Sequence, residues 1–217
     1  MTLFRLDASI RTEGSVSREI ADTVQRAWRA EHPDAPTRHR DLGREPLPAD
    51  AWARAALGSR IPVAERSPEQ ADAVALAGAL ADEMLDADAY LFAVPLYNFG
   101  APHHVKSWID LLIADPRLGP GQQPLAGRPA VLVLTRGGGY GPGTPRYGWD
   151  HGEPWLRRIL ADVFAFDLHV AEAELTLARI NPAMAGLRDL ADQSLRHAHA
   201  TGEAHGRTLA QRVRIAA

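Results

Sequence analysis

The chain has 217 residues, of which 46% are hydrophobic and 24% charged, with a net charge of −3. That is enough apolar material for a sizeable core, and the near-neutral balance supplies no field to draw nucleic acid or an anionic membrane surface. Cysteine is absent, which excludes disulfides, thiolate catalysis and iron–sulfur ligation. No apolar run reaches eighteen residues and the start lacks a charged-then-apolar leader, so neither a membrane span nor a secretory signal is expected, and the expected compartment is the cytoplasm.

Leu3–Ala8 reads as a strand, followed by a hydroxyl-rich loop, Ser9–Ser17. Ser15 or Ser17 can cap a helix running to about Ala30, with Ile20, Val24, Ala27 and Trp28 on one face. Thr37–Leu42 is short and basic, a strand only at a sheet edge. Gly43–Ser67 mixes prolines with short helical pieces, and no regular element is assigned there. Pro68–Ala87 is helical, and Ala89–Val94 is continuously apolar, as a central parallel strand covered on both faces requires. The turn Pro95–Ala101 leads to a helix from Pro102 to about Ile113. Pro129–Leu134 is another apolar strand, and a glycine-rich loop from Thr135 to about Gly152 opens a helix over Glu153–Val163. Phe166–Ala171 reads as the last strand and Pro182–Arg214 as a helix polar on one side. Strands alternate with helices throughout, so the fold class is α/β, a mostly parallel sheet with helices on both faces, in one domain over 1–217.

In such sheets ligands sit outside the carboxyl ends of the strands, where strand order reverses. Three loops follow confident strands. Ser9–Ser17 offers hydroxyls, amides and the positive end of a helix to a phosphate; taken alone it fits a polar loop with a helix cap better. Tyr97, Asn98 and Phe99 supply flat walls and an amide for a heteroaromatic edge, or simply a well-packed turn. The run Thr135-Arg136-Gly137-Gly138 lets backbone approach a planar ligand, unless its glycines serve flexibility alone. Neither GxGxxG nor GxxxxGK[ST] occurs, so a dinucleotide fingerprint and a P-loop are absent.

The order S-x-R-x-x-x-S-x-S over 9–17, P-L-Y-N-F-x-x-P over 95–102 with V-K-S-W-I-D over 105–110, and T-R-G-G over 135–138 resembles the FMN-dependent NADH:azoreductase and NAD(P)H:quinone oxidoreductase family, over essentially the whole chain. The resemblance implies a flavodoxin-like fold, a five-stranded parallel sheet of order 2-1-3-4-5, and a homodimer. It implies non-covalent FMN, NADH or NADPH as donor, and a quinone or aromatic azo acceptor reduced by a ping-pong mechanism. Carried over, Ser9, Ser15, Val16 and Ser17 match phosphate-binding positions, and Leu96, Tyr97, Asn98, Phe99, Thr135, Arg136, Gly137 and Gly138 match the ring-contacting loops. Leu96 stands where many relatives have methionine, and Val16 where a polar residue is common. Ala161–Phe164 replaces a G-F-I-G-like run whose aromatic residue borders the substrate, which makes Asp162, with Tyr140 on the long 140–152 loop, a candidate substrate residue.

Hydride chemistry belongs to the flavin, so no side chain is nominated as catalytic. No metal is expected: His103 and His104 are adjacent on a helix and diverge, while His197, His199 and His205 lie on a polar helix. Lys106, the only lysine, fits a structural role, and no GxSxG elbow occurs. A tailoring reductase or supplier of reduced flavin is the alternative function. A non-catalytic electron carrier fits less well, since such modules tend to be strongly acidic.

Overall fold

The computed structural model describes residues 1–216. Five strands, β1 (Leu3–Asp7), β2 (Thr37–Asp41), β3 (Ala89–Pro95), β4 (Pro129–Thr135) and β5 (Asp167–Ala173), form one parallel sheet of order β2-β1-β3-β4-β5. The helices are α1 (Val16–Glu31), α2 (Ala51–Gly58), α3 (Pro68–Leu85), α4 (His103–Ala114), α5 (Gly152–Arg157) and α6 (Arg188–Ala216). None of the described helices is long and apolar enough to cross a membrane.

Alternation along the strands divides the core into two layers. Phe4, Leu6, Tyr90, Phe92, Leu132 and Leu134 face α3, α4 and α5, where Trp108 stacks parallel to Phe4 at 6.1 Å. Leu3, Leu91, Val131 and Val133 face the other way, toward Ile20, Val24 and Trp28 of α1 and Leu209 of α6. β3 and β4 are buried at every residue, which is why they are apolar without alternation. The basic Thr37–Asp41 segment takes an edge, where polar side chains keep access to water.

Most expected elements appear within two residues of their anticipated ends. Three differ. The unassigned stretch 43–67 contains α2, whose Gly58 lies so close to α3 that a Cβ there would sit 3.1 Å from Gln70 Cβ. The helix expected over 153–163 is α5 followed by a π-helical turn, Arg158–Val163. The amide of Phe164 donates to the Ile159 carbonyl at 2.9 Å, and the wider turn keeps Leu156, Leu160 and Phe164 all buried. The carboxyl-terminal helix begins at Arg188, after a 3₁₀ segment over Pro182–Leu187.

α1 and α6 approach closely because α6 carries glycine at 202 and 206. A Cβ on Gly206 would lie 2.4 Å from the Val24 carbonyl oxygen and 2.8 Å from Ala27 Cβ. Gly206→Ala is therefore expected to destabilise the fold in urea denaturation by about 1–2 kcal/mol. Overpacking of roughly 1–3 kcal/mol outweighs a gain of up to about 1 kcal/mol in helix propensity. An unchanged or raised midpoint would show that the helices separate freely.

Candidate functional site

The sheet order reverses at β1, which has β2 on one side and β3 on the other, so the loops leaving β1 and β3 flank the crevice that this topology opens. The loop after β1 is residues 8–15. Ser9, Ser15 and Ser17 are all buried, and the Ser15 and Ser17 hydroxyls lie 3.2 Å apart. Ser15 occupies the N-cap position of α1 without capping it. By contrast, Ser67 and Gln70 close a complete capping box on α3. From Thr12 to Arg18, no backbone N–H has an acceptor among the described residues. A helix terminus with open amides and inward hydroxyls has the donor set that an anionic phosphate needs.

The loop after β3 closes on itself. Tyr97 and Gly100 exchange both backbone hydrogen bonds at 3.0 Å, and the two residues between them, Asn98 and Phe99, have φ of 48° and 69°. This is a two-residue hairpin in the left-handed region, costly for a side chain as bulky as phenylalanine. Such cost persists only where the surroundings enforce the geometry. Here the Phe99 carbonyl accepts from the His151 amide at 2.9 Å, and Gly152 packs beneath, where a Cβ would stand 2.6 Å from Leu96 Cδ1. The Tyr97 hydroxyl accepts from the Ile10 amide at 3.1 Å, with Ser9 Oγ at 3.5 Å. That contact ties the second loop to the first across the reversal point.

The third loop leaves β4. Thr135 is buried, and its carbonyl accepts from the Leu96 amide at 2.7 Å, which joins the third loop to the second. The N–H groups of Gly137, Gly138 and Gly139 have no acceptor among the described residues. Their carbonyl side is fixed: the Gly137 and Gly138 oxygens accept from Leu177 and Leu175. Three loops expected from the strand ends are thus one connected surface, with open amides at two places and the aromatic hairpin between them.

A family profile described as the flavodoxin-like fold matches residues 1–201. An FMN-dependent NADH:quinone oxidoreductase from Frankia casuarinae is 41% identical over 196 residues, covering 88% of this chain and 92% of its own. The protein of that name from Kineococcus radiotolerans is 40% identical over 210 residues, covering 95% and 99%. The chain belongs to the FMN-dependent NADH:quinone oxidoreductase family. An azoreductase from Bacillus anthracis superposes with a TM-score of 0.77 at 19% identity, covering 96% of this chain and 99% of that one, and so shares the fold.

Not every expected site residue of this family member reaches the crevice. Val16 packs toward the α1 side of the core, leaving only its amide for a ligand. Arg136 has its guanidinium buried and surrounded by Asp150 at 2.6 Å, Glu172 at 2.7 Å, Glu174 at 3.8 Å and Glu153. Its amide donates to Ala173, and its carbonyl accepts from Thr176. Burial disfavours the Arg136 charge, but Glu172 and Asp150 outweigh it and hold its pKa above the ordinary value. With side chain and backbone both committed, Arg136 builds the third loop rather than facing a ligand.

Asp162 is a correction. It lies in the turn before β5, at the amino-terminal edge of the sheet and so opposite the three loops. There it pairs with Arg158 at 2.7 Å and its carbonyl accepts from Gln123. Within one chain it is not part of this surface. Tyr140 is: its ring packs edge-on to Phe99 at 6.5 Å, and Trp149 does so at 5.6 Å. Trp149 was not anticipated, since the loop from 140 to 152 gives no periodic signal and folds back through the Arg136–Asp150 pair.

Arg18 and Gly43 were also missed. Arg18 donates to the Ser9 carbonyl at 2.9 Å and the Arg11 carbonyl at 3.1 Å, and pairs with both oxygens of Asp41. Its hydrogen bond to Asp41 raises its pKa against the cost of burial. Asp7, Asp41 and His39 bring three ligand-type atoms within 4.8 Å, but Arg5 and Arg18 already pair with these carboxylates. Burial opposes the Asp7 charge, yet the His39 hydrogen bond and the two arginines hold its pKa below the usual carboxylate value. The cluster braces the first loop.

His103 is exposed and His104 buried, with Nε2–H of His104 donating to the Ala8 carbonyl at 2.8 Å. Burial lowers the pKa of His104 and outweighs the opposing effect of its hydrogen bond to the Ala8 carbonyl, which favours the neutral ring with its proton on Nε2. Lys106 pairs with Asp110 one turn along α4. A cavity of about 400 Å³ lies elsewhere, among α2, α3 and the end of α4. Its charged lining residues are Arg66 and Asp115; Asp115 is paired with Arg117, and Arg66 donates to the Ile61 carbonyl at 3.2 Å.

Proposed function

We propose that this chain passes two electrons from NADH or NADPH, through non-covalently bound FMN, to a quinone or an aromatic azo compound in a ping-pong cycle. The observation that carries the reading is the uncapped start of α1, linked through the Tyr97 hydroxyl to a left-handed aromatic hairpin. One end suits a phosphate and the other a flat heteroaromatic ring, which are the two ends of FMN. Ser9, Ser15, Ser17 and the 12–18 amides would hold the phosphate. Leu96, Tyr97, Asn98 and Phe99, with Thr135 and the Gly137 and Gly138 amides, would border the ring. Bound FMN supplies two-electron transfer, and the protein's own part is to bind, orient and exclude water. The same reading takes residues 1–217 as one FMN-binding domain acting in the cytoplasm as a homodimer.

The deciding measurement is the absorbance spectrum after incubation with FMN, followed by NADH oxidation against a panel of quinones. A protein that binds no FMN sinks the reading; one that binds it but turns over no quinone or azo compound sinks the substrate assignment. Within the hairpin, Asn98→Ala is expected to weaken FMN binding by about 1–3 kcal/mol through loss of a polar ring-edge partner. Asn98→Gly accepts the positive φ freely and separates lost hydrogen bonding from backbone strain. Equal loss in both variants marks the side chain as the cause. Unchanged affinity in both shows that the amide does not face the flavin.

A further inference from the structure

Arg146 differs from Arg136 and Arg157 in having no ion pair among the described residues. Four carboxylates stand in the same loop system, and all are directed elsewhere. Asp150, Glu153, Glu172 and Glu174 converge on Arg136, while Asp150 also accepts the Gly152 and Glu153 amides and Glu174 the Tyr140 amide. Among the described residues, Arg146 pairs with no carboxylate, although it is the cation resting on the glycine run. A Cβ on Gly138 would lie 2.4 Å from its Nη1 and 3.4 Å from its Cζ. An exposed arginine is ordinarily solvated, but this one covers the backbone at the mouth of the third loop, where the Gly137–Gly139 amides are open.

The Trp149 amide donates to the Arg146 carbonyl at 3.0 Å, so the turn that carries Arg146 leads directly into an apolar wall. Phe99, Tyr140 and Trp149 pack edge to face, with Phe99 38% and Trp149 52% exposed. Phe99 is held in a left-handed conformation that a smaller residue would occupy more cheaply, so its ring is presented outward at a cost to the fold. Two aromatic faces open to solvent beside an unpaired guanidinium match a planar ring bearing an acidic substituent. The rings take the apolar plane, and the planar fork of nitrogens takes a sulfonate or carboxylate with two parallel hydrogen bonds.

We infer that Arg146, with Phe99 and Trp149, selects planar aromatic electron acceptors that carry a sulfonate or carboxylate group. The inference rests on the flavin-reductase reading above and deepens it by assigning the acceptor's charge class. Arg146 is a specificity residue and takes no part in electron transfer itself.

The test uses the FMN-loaded protein, reduced anaerobically with one equivalent of NADH and mixed with either 1,4-naphthoquinone-2-sulfonate or neutral 2-methyl-1,4-naphthoquinone. Arg146→Gln is expected to lower the second-order reoxidation rate with the sulfonate about tenfold and to leave the neutral quinone within twofold of the parent. Arg146→Lys should recover part of the loss. The dissociation constant of the sulfonate for the oxidised FMN-loaded protein, read by calorimetry, should weaken by a similar factor. Trp149→Leu should slow both acceptors alike, because a ring wall does not sense charge. Equal effects of Arg146→Gln on the two quinones, or none on either, overturn the inference. So does a loss confined to reduction by NADPH, which would place the donor's 2′-phosphate on this guanidinium. A parent protein that binds no FMN or oxidises no NADH instead refutes the underlying reading, so the two failures are distinct.

Discussion

Arg136→Met is expected to lower the unfolding free energy by about 3 kcal/mol and to cost FMN affinity with it. Removing one partner of a buried ion pair leaves the others uncompensated, a loss of roughly 3–5 kcal/mol where all are buried. The value falls at the lower end here because the guanidinium is buried while Glu172 is half exposed and re-solvates. Asp150 cannot do so easily, since it is largely buried and also accepts the Gly152 and Glu153 amides at the start of α5. Losing Arg136 therefore loosens the Phe99–His151 contact and the hairpin that depends on it. Urea denaturation of the FMN-free protein reads the first effect, and a fluorescence titration with FMN reads the second. A variant with parental stability would show that the four acids tolerate one another without the central cation. Arg136→Lys does not rescue, because a point charge cannot reach Asp150, Glu153 and Glu172 from three separate nitrogens.

The second large effect lies at Gly43, twenty-eight residues beyond the end of the first loop. A Cβ there would fall 2.0 Å from the Ser9 carbonyl oxygen and 3.2 Å from the Arg18 guanidinium. The obstructing atom is backbone and is already gripped by Arg18, so the first loop must move as a unit. Gly43→Ala is expected to weaken FMN binding at least tenfold, with riboflavin, which lacks the phosphate, affected much less. Gly141→Ala is the control: it meets nothing within 4 Å and has no positive φ, and it should leave both affinities unchanged. Equal losses for FMN and riboflavin would mean that Gly43 supports the fold generally and not the phosphate end.

How legible this was in the sequence depended on whether the signal was local. β3 and β4 announce themselves because burial on both faces demands unbroken apolar runs, and β2 because an edge admits Arg38, His39 and Arg40. The observed order of strands and the FMN-dependent relatives also agree with what the three loop motifs implied. α2 escaped because its packing rests on Ala51, Ala55 and Gly58, small residues that leave no apolar stripe to read. The π-helical turn escaped because Leu156, Leu160 and Phe164 keep the spacing of an ordinary helix. At the site, the residue types were visible but their commitments were not. Arg136 looked available to a ligand because its partners are spread over 150–174, and only folding brings them to one point. Asp162 was placed by analogy with relatives, while the strand direction carries a residue just before β5 to the opposite edge.

The edge strand β2 has a consequence for self-association. Its outward hydrogen-bonding groups are a template on which another strand could pair. The chain guards them with Arg38, His39 and Arg40, two of them fixed in place by Asp86 and Glu83 of the adjoining helix end. A second copy aligning its own β2 there would set arginine against arginine along the seam. This edge therefore resists extension of the sheet from one copy into the next.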